Sequence, residues 1–151
     1  MKHVLLFVFL SWCAVTLADP APLVIDKSIK GKSSNRYIRA VHLHMETGTS
    51  DLNEIRRAIM RGMLQASGRA WTYEGEGDGY ILARFDYRGL ITVMRIEYDQ
   101  ELVQLKYHSA IGGTECQNLR PDGICYKGAR GFYNYTLKLR EGISRELRLI
   151  S

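Results

Sequence analysis

Apolar residues recur at every second position from residue 69 to residue 108, the spacing of strands that bury one face. A two-residue turn at Arg88-Gly89 and a loop of residues 99–102 align the apolar positions of three neighbouring strands, and a loop of residues 75–79 adds a fourth. The pattern therefore predicts a four-stranded antiparallel meander with one buried side. The expected pairs are Tyr87 with Leu90, Phe85 with Thr92, Ala83 with Met94, Ile81 with Ile96, Tyr98 with Val103, Ile96 with Leu105, Met94 with Tyr107, and Trp71 and Tyr73 with Ala83 and Ile81.

Helical spacing flanks this meander on both sides. Asp51 and Glu54 have the spacing of a capping box, and Gly68 follows the first helix. The second helix is expected from about Gly131 to Leu149. A helix, four strands and a helix predict an α+β two-layer sandwich over residues 51–151. The apolar stripes are Leu52, Ile55, Ile59, Met63 and Ala66 in the first helix, and Phe132, Tyr135, Leu139, Ile143 and Leu147 in the second.

The chain begins with an uncharged apolar run, Val4 to Leu17, behind Lys2. Fourteen residues are too few to span a bilayer, so residues 1–18 read as a secretory signal peptide cut before Asp19, which leaves no transmembrane segment in the mature chain. Lipidation at Cys13 is the alternative, although Trp12 is a poor residue before a lipidated cysteine. Residues 19–50 then form a leader with a possible edge strand, because Tyr37 to His44 alternates in polarity.

Cys116 and Cys125 are the two cysteines that remain after residue 18. An even count in an exported chain favours a disulfide, which would staple this loop by roughly 3 kcal/mol on the chain-entropy account. The expected location is therefore periplasmic or secreted.

The whole chain of 151 residues is 46% hydrophobic and 25% charged, which fits one globular domain. Its net charge of +5 falls to +4 when Lys2 is removed. The sequence lacks the dense basic stripe that is typical of nucleic-acid-binding proteins, so nucleic-acid binding is not expected. His42, His44 and His108 have no carboxylate or cysteine beside them, so no metal is expected. Ser109 has no orienting partner, and no cofactor or catalytic residue is assigned.

The solvent side of the predicted sheet mixes charged and apolar residues. Arg84 and Arg95 are expected to flank a binding site whose apolar floor is Leu82, Ile91 and Val93. Three coverings are considered for this side: the leader strand, the cysteine loop or a second protein chain. In the alternative interpretation the two arginines only pair with the carboxylates Asp86 and Glu97, in salt bridges between neighbouring strands.

A set of residues in the predicted core carries a resemblance to a known family: Trp71, Gly79, Ile81, Ala83, Arg88, Gly89, Val93, Ile96, Tyr98, Tyr107, Tyr133 and Asn134. With these residues the chain resembles a family of small uncharacterised bacterial exported proteins and lipoproteins. The resemblance spans about residues 51 to 147 and implies an α+β fold and export, with no activity to transfer. The chain departs from the family pattern at Ala70, Leu90 and Thr136, and its cysteine loop resembles an insertion.

We therefore expect an exported binding or interaction module of the cell envelope. Its partner would be an envelope protein or an anionic envelope component, and a homo-oligomer is left open. The alternative is a small periplasmic enzyme with an unrecognised site on the solvent side of the sheet. A deep cleft that gathers His108, Asp86 and Arg95 would favour the enzyme, and a shallow apolar patch would favour binding.

Overall fold

The computed structural model describes residues 19–66 and 71–151. The proposed signal peptide, Gly68 and Ala70 therefore lie outside the described residues. The elements, in chain order, are helix α1 (Asn35–His42), strand β1 (Met45–Glu46), helix α2 (Leu52–Leu64), strands β2 (Thr72–Gly77), β3 (Tyr80–Tyr87), β4 (Leu90–Tyr98), β5 (Leu102–Ile111), β6 (Cys116–Leu119) and β7 (Cys125–Gly128), and helix α3 (Arg130–Leu147).

The prediction of a mixed α+β fold is confirmed, with a five-stranded antiparallel sheet in the order β1-β5-β4-β3-β2. Strands β2 to β5 follow one another as expected, and β1 adds a fifth. All the predicted pairs between β3 and β4 and between β4 and β5 are confirmed. Arg88 and Gly89 both have positive φ, 51° and 80°, which suits the twist of a two-residue hairpin turn.

The predicted register of β2 is wrong. Tyr73 pairs with Ala83 and Glu76 with Ile81, whereas Trp71 was expected opposite Ala83. The turn is the two-residue Asp78-Gly79 and not the loop of residues 75–79, and a bulge between Tyr73 and Gly75 absorbs one further residue. Asp-Gly is itself a strong hairpin signal, so the sequence contained the information for the shorter turn.

One side of the sheet, the inner face, is buried against α2 and α3 as the two-residue period predicts. Asp51 caps α2 because its carboxylate accepts hydrogen bonds from Asn53 N at 2.8 Å and Glu54 N at 3.3 Å. The cluster that joins helices and sheet includes Ile55, Ile59, Met63, Trp71, Ile81, Ala83, Phe85, Met94, Ile96, Val103, Leu105, Phe132, Leu139, Ile143 and Leu147.

Helices α2 and α3 touch through two glycines. A Cβ on Gly62 would lie 2.5 Å from Ile143 Cα, and a Cβ on Gly142 would lie 2.4 Å from the carbonyl oxygen of Gly62. Neither position has room for a methyl group, so the two backbones are in direct contact. Beside this contact, Arg61 Nε donates to the buried carboxylate of Glu146 at 2.8 Å.

The expected strand from Tyr37 to His44 is wrong, because most of this segment forms α1. Ile38, Val41 and His42 are buried three and four residues apart, which is the helical spacing. The short edge strand of the leader follows the helix, where Met45 pairs with Val103. No helix in the described part of the chain is long and apolar enough to cross a membrane.

The predicted disulfide between Cys116 and Cys125 is confirmed, with an S–S distance of 2.02 Å. It joins β6 to β7, which form a separate hairpin, here called the disulfide hairpin. This hairpin packs beside β5, because Tyr107 N donates to Gly123 O at 2.8 Å.

His42 connects α1, β5 and the disulfide hairpin. Its Nδ1 lies 2.7 Å from Leu105 O, and its Nε2 accepts from Cys125 N at 3.1 Å. A neutral ring with its proton on Nδ1 satisfies both contacts at once. In the imidazolium form Nε2 also carries a proton and can no longer accept the hydrogen bond from Cys125 N. Complete burial lowers the pKa of His42 to about 4.

We predict that replacing Gly62 by alanine destabilises the protein by about 1–3 kcal/mol despite the better helix propensity of alanine, since the added methyl group overpacks the contact between α2 and α3. Urea unfolding of the purified protein measures the loss.

The matched control for this substitution is Gly131→Ala in α3, where the nearest atom to the new Cβ is 3.7 Å away. This variant is expected to keep wild-type stability within about 0.5 kcal/mol. Equal stabilities of the two variants would contradict the direct backbone contact.

The lowered pKa of His42 predicts a loss of stability at acidic pH. The unfolded chain binds a proton near the ordinary histidine value of 6.5 and the folded chain only near 4, so this group destabilises the fold as pH falls through that interval. Below both pKa values, the resulting decrease in the free energy of unfolding is about 3 kcal/mol. Imidazole ¹⁵N shifts check it directly: His42 stays neutral at pH 5 in the folded protein and is protonated in urea. A folded-state midpoint near 6.5 would contradict this assignment.

Candidate functional site

The other side of the sheet, the outer face, carries the residues that the sequence selected. Register places Leu82 opposite Arg95 and Arg84 opposite Val93 on the central strands β3 and β4. The structure therefore brings the five predicted site residues together on two neighbouring strands. On β5, the residues opposite Arg95, Val93 and Ile91 are Lys106, Ser109 and Ile111.

The apolar residues of this face form a strip, here called the apolar strip: Leu82, Ile91, Val93 and Ile111. Val93 is only 6% exposed, whereas Ile111 is 57% exposed. Leu82 and Ile91 are half-buried. Ile111 on β5 lies directly opposite Ile91 on β4, whereas Leu82 on β3 lies opposite Arg95 and is only a diagonal neighbour of Val93. The sequence pattern did not identify Ile111, because the predicted strand ended at His108.

Arg84 is held by two carboxylates of its own sheet. Its guanidinium lies 3.0 Å from Asp86 and 3.4 Å from Glu74. The hydrogen bond that Arg84 donates to Asp86 is the main reason that the pKa of Arg84 is raised above its ordinary value. These carboxylates neutralise Arg84 locally, and the contact with Asp86 is the alternative pairing expected from the sequence.

Arg95 belongs to a second and more buried group of charges. Its guanidinium stacks over the Tyr80 ring at 3.9 Å, and its Nε lies 2.9 Å from Glu97 Oε1 without hydrogen-bond geometry. The Glu97 side chain is 7% exposed and also pairs with Lys106 Nζ at 2.5 Å. Arg95 is thus fixed by a ring and a carboxylate. Both arginines pair with the expected carboxylates, but within one strand and not between neighbouring strands.

The beginning of the leader covers the β5 side of this face. Asp19 N donates to Glu97 Oε2 at 3.3 Å, and Ala21 N donates to Gln104 Oε1 at 3.2 Å. Lys106 Nζ donates to Asp19 O at 2.9 Å. The covering residues are therefore Asp19 to Leu23 and not the expected strand from Tyr37 to His44. None of these three hydrogen bonds involves a residue of the apolar strip.

Further along, the leader is fixed by the disulfide hairpin. Asp26 N donates to the Tyr126 hydroxyl at 2.9 Å, and Ser33 N donates to Tyr126 O at 2.7 Å. A second small core forms there between leader, α1 and hairpin. It contains Ile38, Ile124 and Tyr126, with Leu23, Ile25 and Ile29 packed against it.

Two depressions bear on the choice between catalysis and binding. One of about 330 Å³ has a lining that includes Asp19, Arg95, Glu97, Lys106, His108 and Asp122. Asp86 is not part of its lining, so the expected combination of His108, Asp86 and Arg95 is not assembled there. A larger cleft of about 740 Å³ lies at the end of the sheet beside α2, and it is lined by Leu52, Asn53, Arg56, Glu76, Gly77, Asp78, Gly79, Tyr98, Asp99, Gln100 and Glu101.

The three histidines considered for a metal site have separate surroundings. His42 is buried in the contacts described above, and His44 Nδ1 accepts a hydrogen bond from Leu23 N at 3.3 Å. His108 is exposed on β5. Among residues 19–66 and 71–151, no three histidine, cysteine or carboxylate side chains are close enough to hold a metal ion together.

No family model, curated protein or solved structure matches this chain. The resemblance to small exported bacterial proteins therefore stays a prediction. The fold and the candidate surface rest on the residues and contacts of this chain alone.

Proposed function

We propose that this chain is an exported binding module of the cell envelope and that the apolar strip on its outer face docks another protein. The observation that carries the proposal is the strip itself, which has members on three neighbouring strands and ends in an isoleucine that is 57% exposed. The disulfide supports an oxidising location, such as the periplasm or the exterior.

The charges beside the strip favour a protein partner over a free anion. Arg84 is shared between Glu74 and Asp86, and Arg95 faces Glu97. A small anion would have to displace these carboxylates, whereas a protein surface can bury the strip and leave the ion pairs at its border. An apolar centre with a polar rim that contains arginine is the usual anatomy of a protein interface.

Binding also fits the shape of this face better than catalysis does. The depression beside His108 contains Arg95 and Lys106, but Asp86 is engaged with Arg84 elsewhere on the sheet. Asp86 is therefore not placed to act with His108, and Glu97, which lines the same depression, is already paired with Arg95 and Lys106. The enzyme hypothesis therefore has less support than the docking hypothesis.

We predict that replacing both Leu82 and Ile111 by lysine weakens partner binding by at least about tenfold, because the charge of each lysine has to be desolvated where the partner covers the strip. Immobilised protein comprising residues 19–151 is incubated with an envelope extract of the organism that makes it. The captured polypeptide is then purified and its affinity for wild type and variant is titrated by calorimetry.

The matched control for this double substitution is Leu64→Lys on α2, at a residue that is 67% exposed and remote from the strip in the fold. It should bind like wild type, and circular dichroism verifies that all variants are folded. Equal affinity of the strip variant and wild type would disprove the proposal. Two other results would also overturn it: binding to phosphatidylglycerol vesicles in place of a protein, or self-association by ultracentrifugation that the strip substitutions abolish.

A further inference from the structure

The backbone nitrogen of Asp19 lies in a group of charges on the outer face. It donates to Glu97 Oε2 at 3.3 Å, and Glu97 is 5% exposed. Lys106 Nζ holds the carbonyl of the same residue at 2.9 Å, and the following Pro20 is buried. Asp19 is therefore fixed on both sides of its Cα, and its nitrogen points at a carboxylate that is nearly removed from water.

This same nitrogen is where the sequence predicts the signal peptide to be cut. Hydrolysis of the Ala18–Asp19 peptide bond by a signal peptidase consumes one water molecule. Ala18 leaves with a carboxylate, and Asp19 gains an α-amino group that takes up a proton at neutral pH. The cut would thus change a neutral amide N–H into an ammonium ion at the position that faces Glu97.

We propose that removal of the signal peptide strengthens the attachment of the leader to the outer face. The new α-ammonium of Asp19 forms an ion pair with the buried Glu97 carboxylate. This inference rests on the proposed export of the chain and not on the identity of the docked partner. Ammonium donors bind carboxylates roughly twice as strongly as neutral amides do, and the effect is larger where water is excluded.

The charge balance around Glu97 supports the proposal. The groups that face Asp19 are Arg95 and Glu97 on β4, Lys106 and His108 on β5, and Asp122 in the turn of the disulfide hairpin. Before the cut, the carboxylates of Glu97, Asp19 and Asp122 outnumber the two cations Arg95 and Lys106. The α-ammonium supplies a third cation, so that the charged groups balance.

The ion pair would also explain how the leader is held. Residues 19, 21 and 23 donate their backbone N–H groups to the side chains of Glu97, Gln104 and His44 in turn. The first of these three contacts gains charge on processing, and the segment then leads into the small core with the disulfide hairpin. Assembly of the leader on the sheet thus becomes stronger in the exported, processed protein.

A comparison of defined N-termini tests the proposal. One protein begins at Asp19, released from a cleavable fusion, and a second carries one additional glycine before Asp19, which restores a neutral amide. We expect the glycine to raise the unfolding equilibrium constant roughly tenfold, as measured by urea titration at pH 7. In the Glu97→Gln background the same glycine should change it less than twofold, because the carboxylate that distinguishes ammonium from amide is gone.

The matched control is Asp86→Asn, which removes a carboxylate from the same face away from Asp19. In that background the tenfold effect of the additional glycine should persist. An equal effect of the glycine in the Glu97→Gln and wild-type backgrounds would overturn the ion pair.

Intact-mass analysis of the exported protein tests the cut separately, since a mature chain that does not begin at Asp19 would overturn the link to processing. Neither result depends on whether the apolar strip binds a protein.

Discussion

The direct contact between α2 and α3 at Gly62 and Gly142 is the constraint on which the rest of this fold depends. Glycine costs about 1 kcal/mol relative to alanine inside a helix, so two of them at one crossing need compensation. The compensation is the close approach itself, which places apolar side chains of both helices on the inner face of the sheet. The ion pair between the exposed Arg61 and the buried Glu146 links the same two helices beside the crossing. With this face filled, anything that binds the sheet has to do so on the outer face.

The edge of the sheet at β5 explains why the leader and the disulfide hairpin lie where they do. Strand β1 pairs with only two residues of β5. The remaining backbone groups need partners, because unpaired backbone groups at a buried edge are costly. His42 satisfies Leu105 O, and Gly123 O satisfies Tyr107 N. These two contacts bring α1 and the hairpin to the same edge, and the leader follows them onto the β5 side of the outer face.

The outer face is consequently divided into two parts of different chemistry. On the β5 side, Glu97 and Lys106 are covered by the first residues of the leader. On the other side, the apolar strip is bordered by Arg84, whose charge is neutralised by Glu74 and Asp86. A surface that is apolar at its centre and balanced in charge at its border suits a protein partner better than a small anion. The proposed processing of the chain acts on the covered part and leaves the strip accessible.

The sequence by itself determined the features that depend on neighbouring residues. Turn residues and the period of two were sufficient for the β3–β4–β5 register, and the Asp51 cap and the cysteine pair were also readable. It did not determine α1, because a segment of only eight residues fits either period until α3 and β5 pack against it. Nor did it decide between free and paired arginines at the candidate site. The helix crossing, the covered half of the outer face and the ion pairs were decided only by the tertiary structure, since they join residues far apart in the chain whose distances no local pattern records.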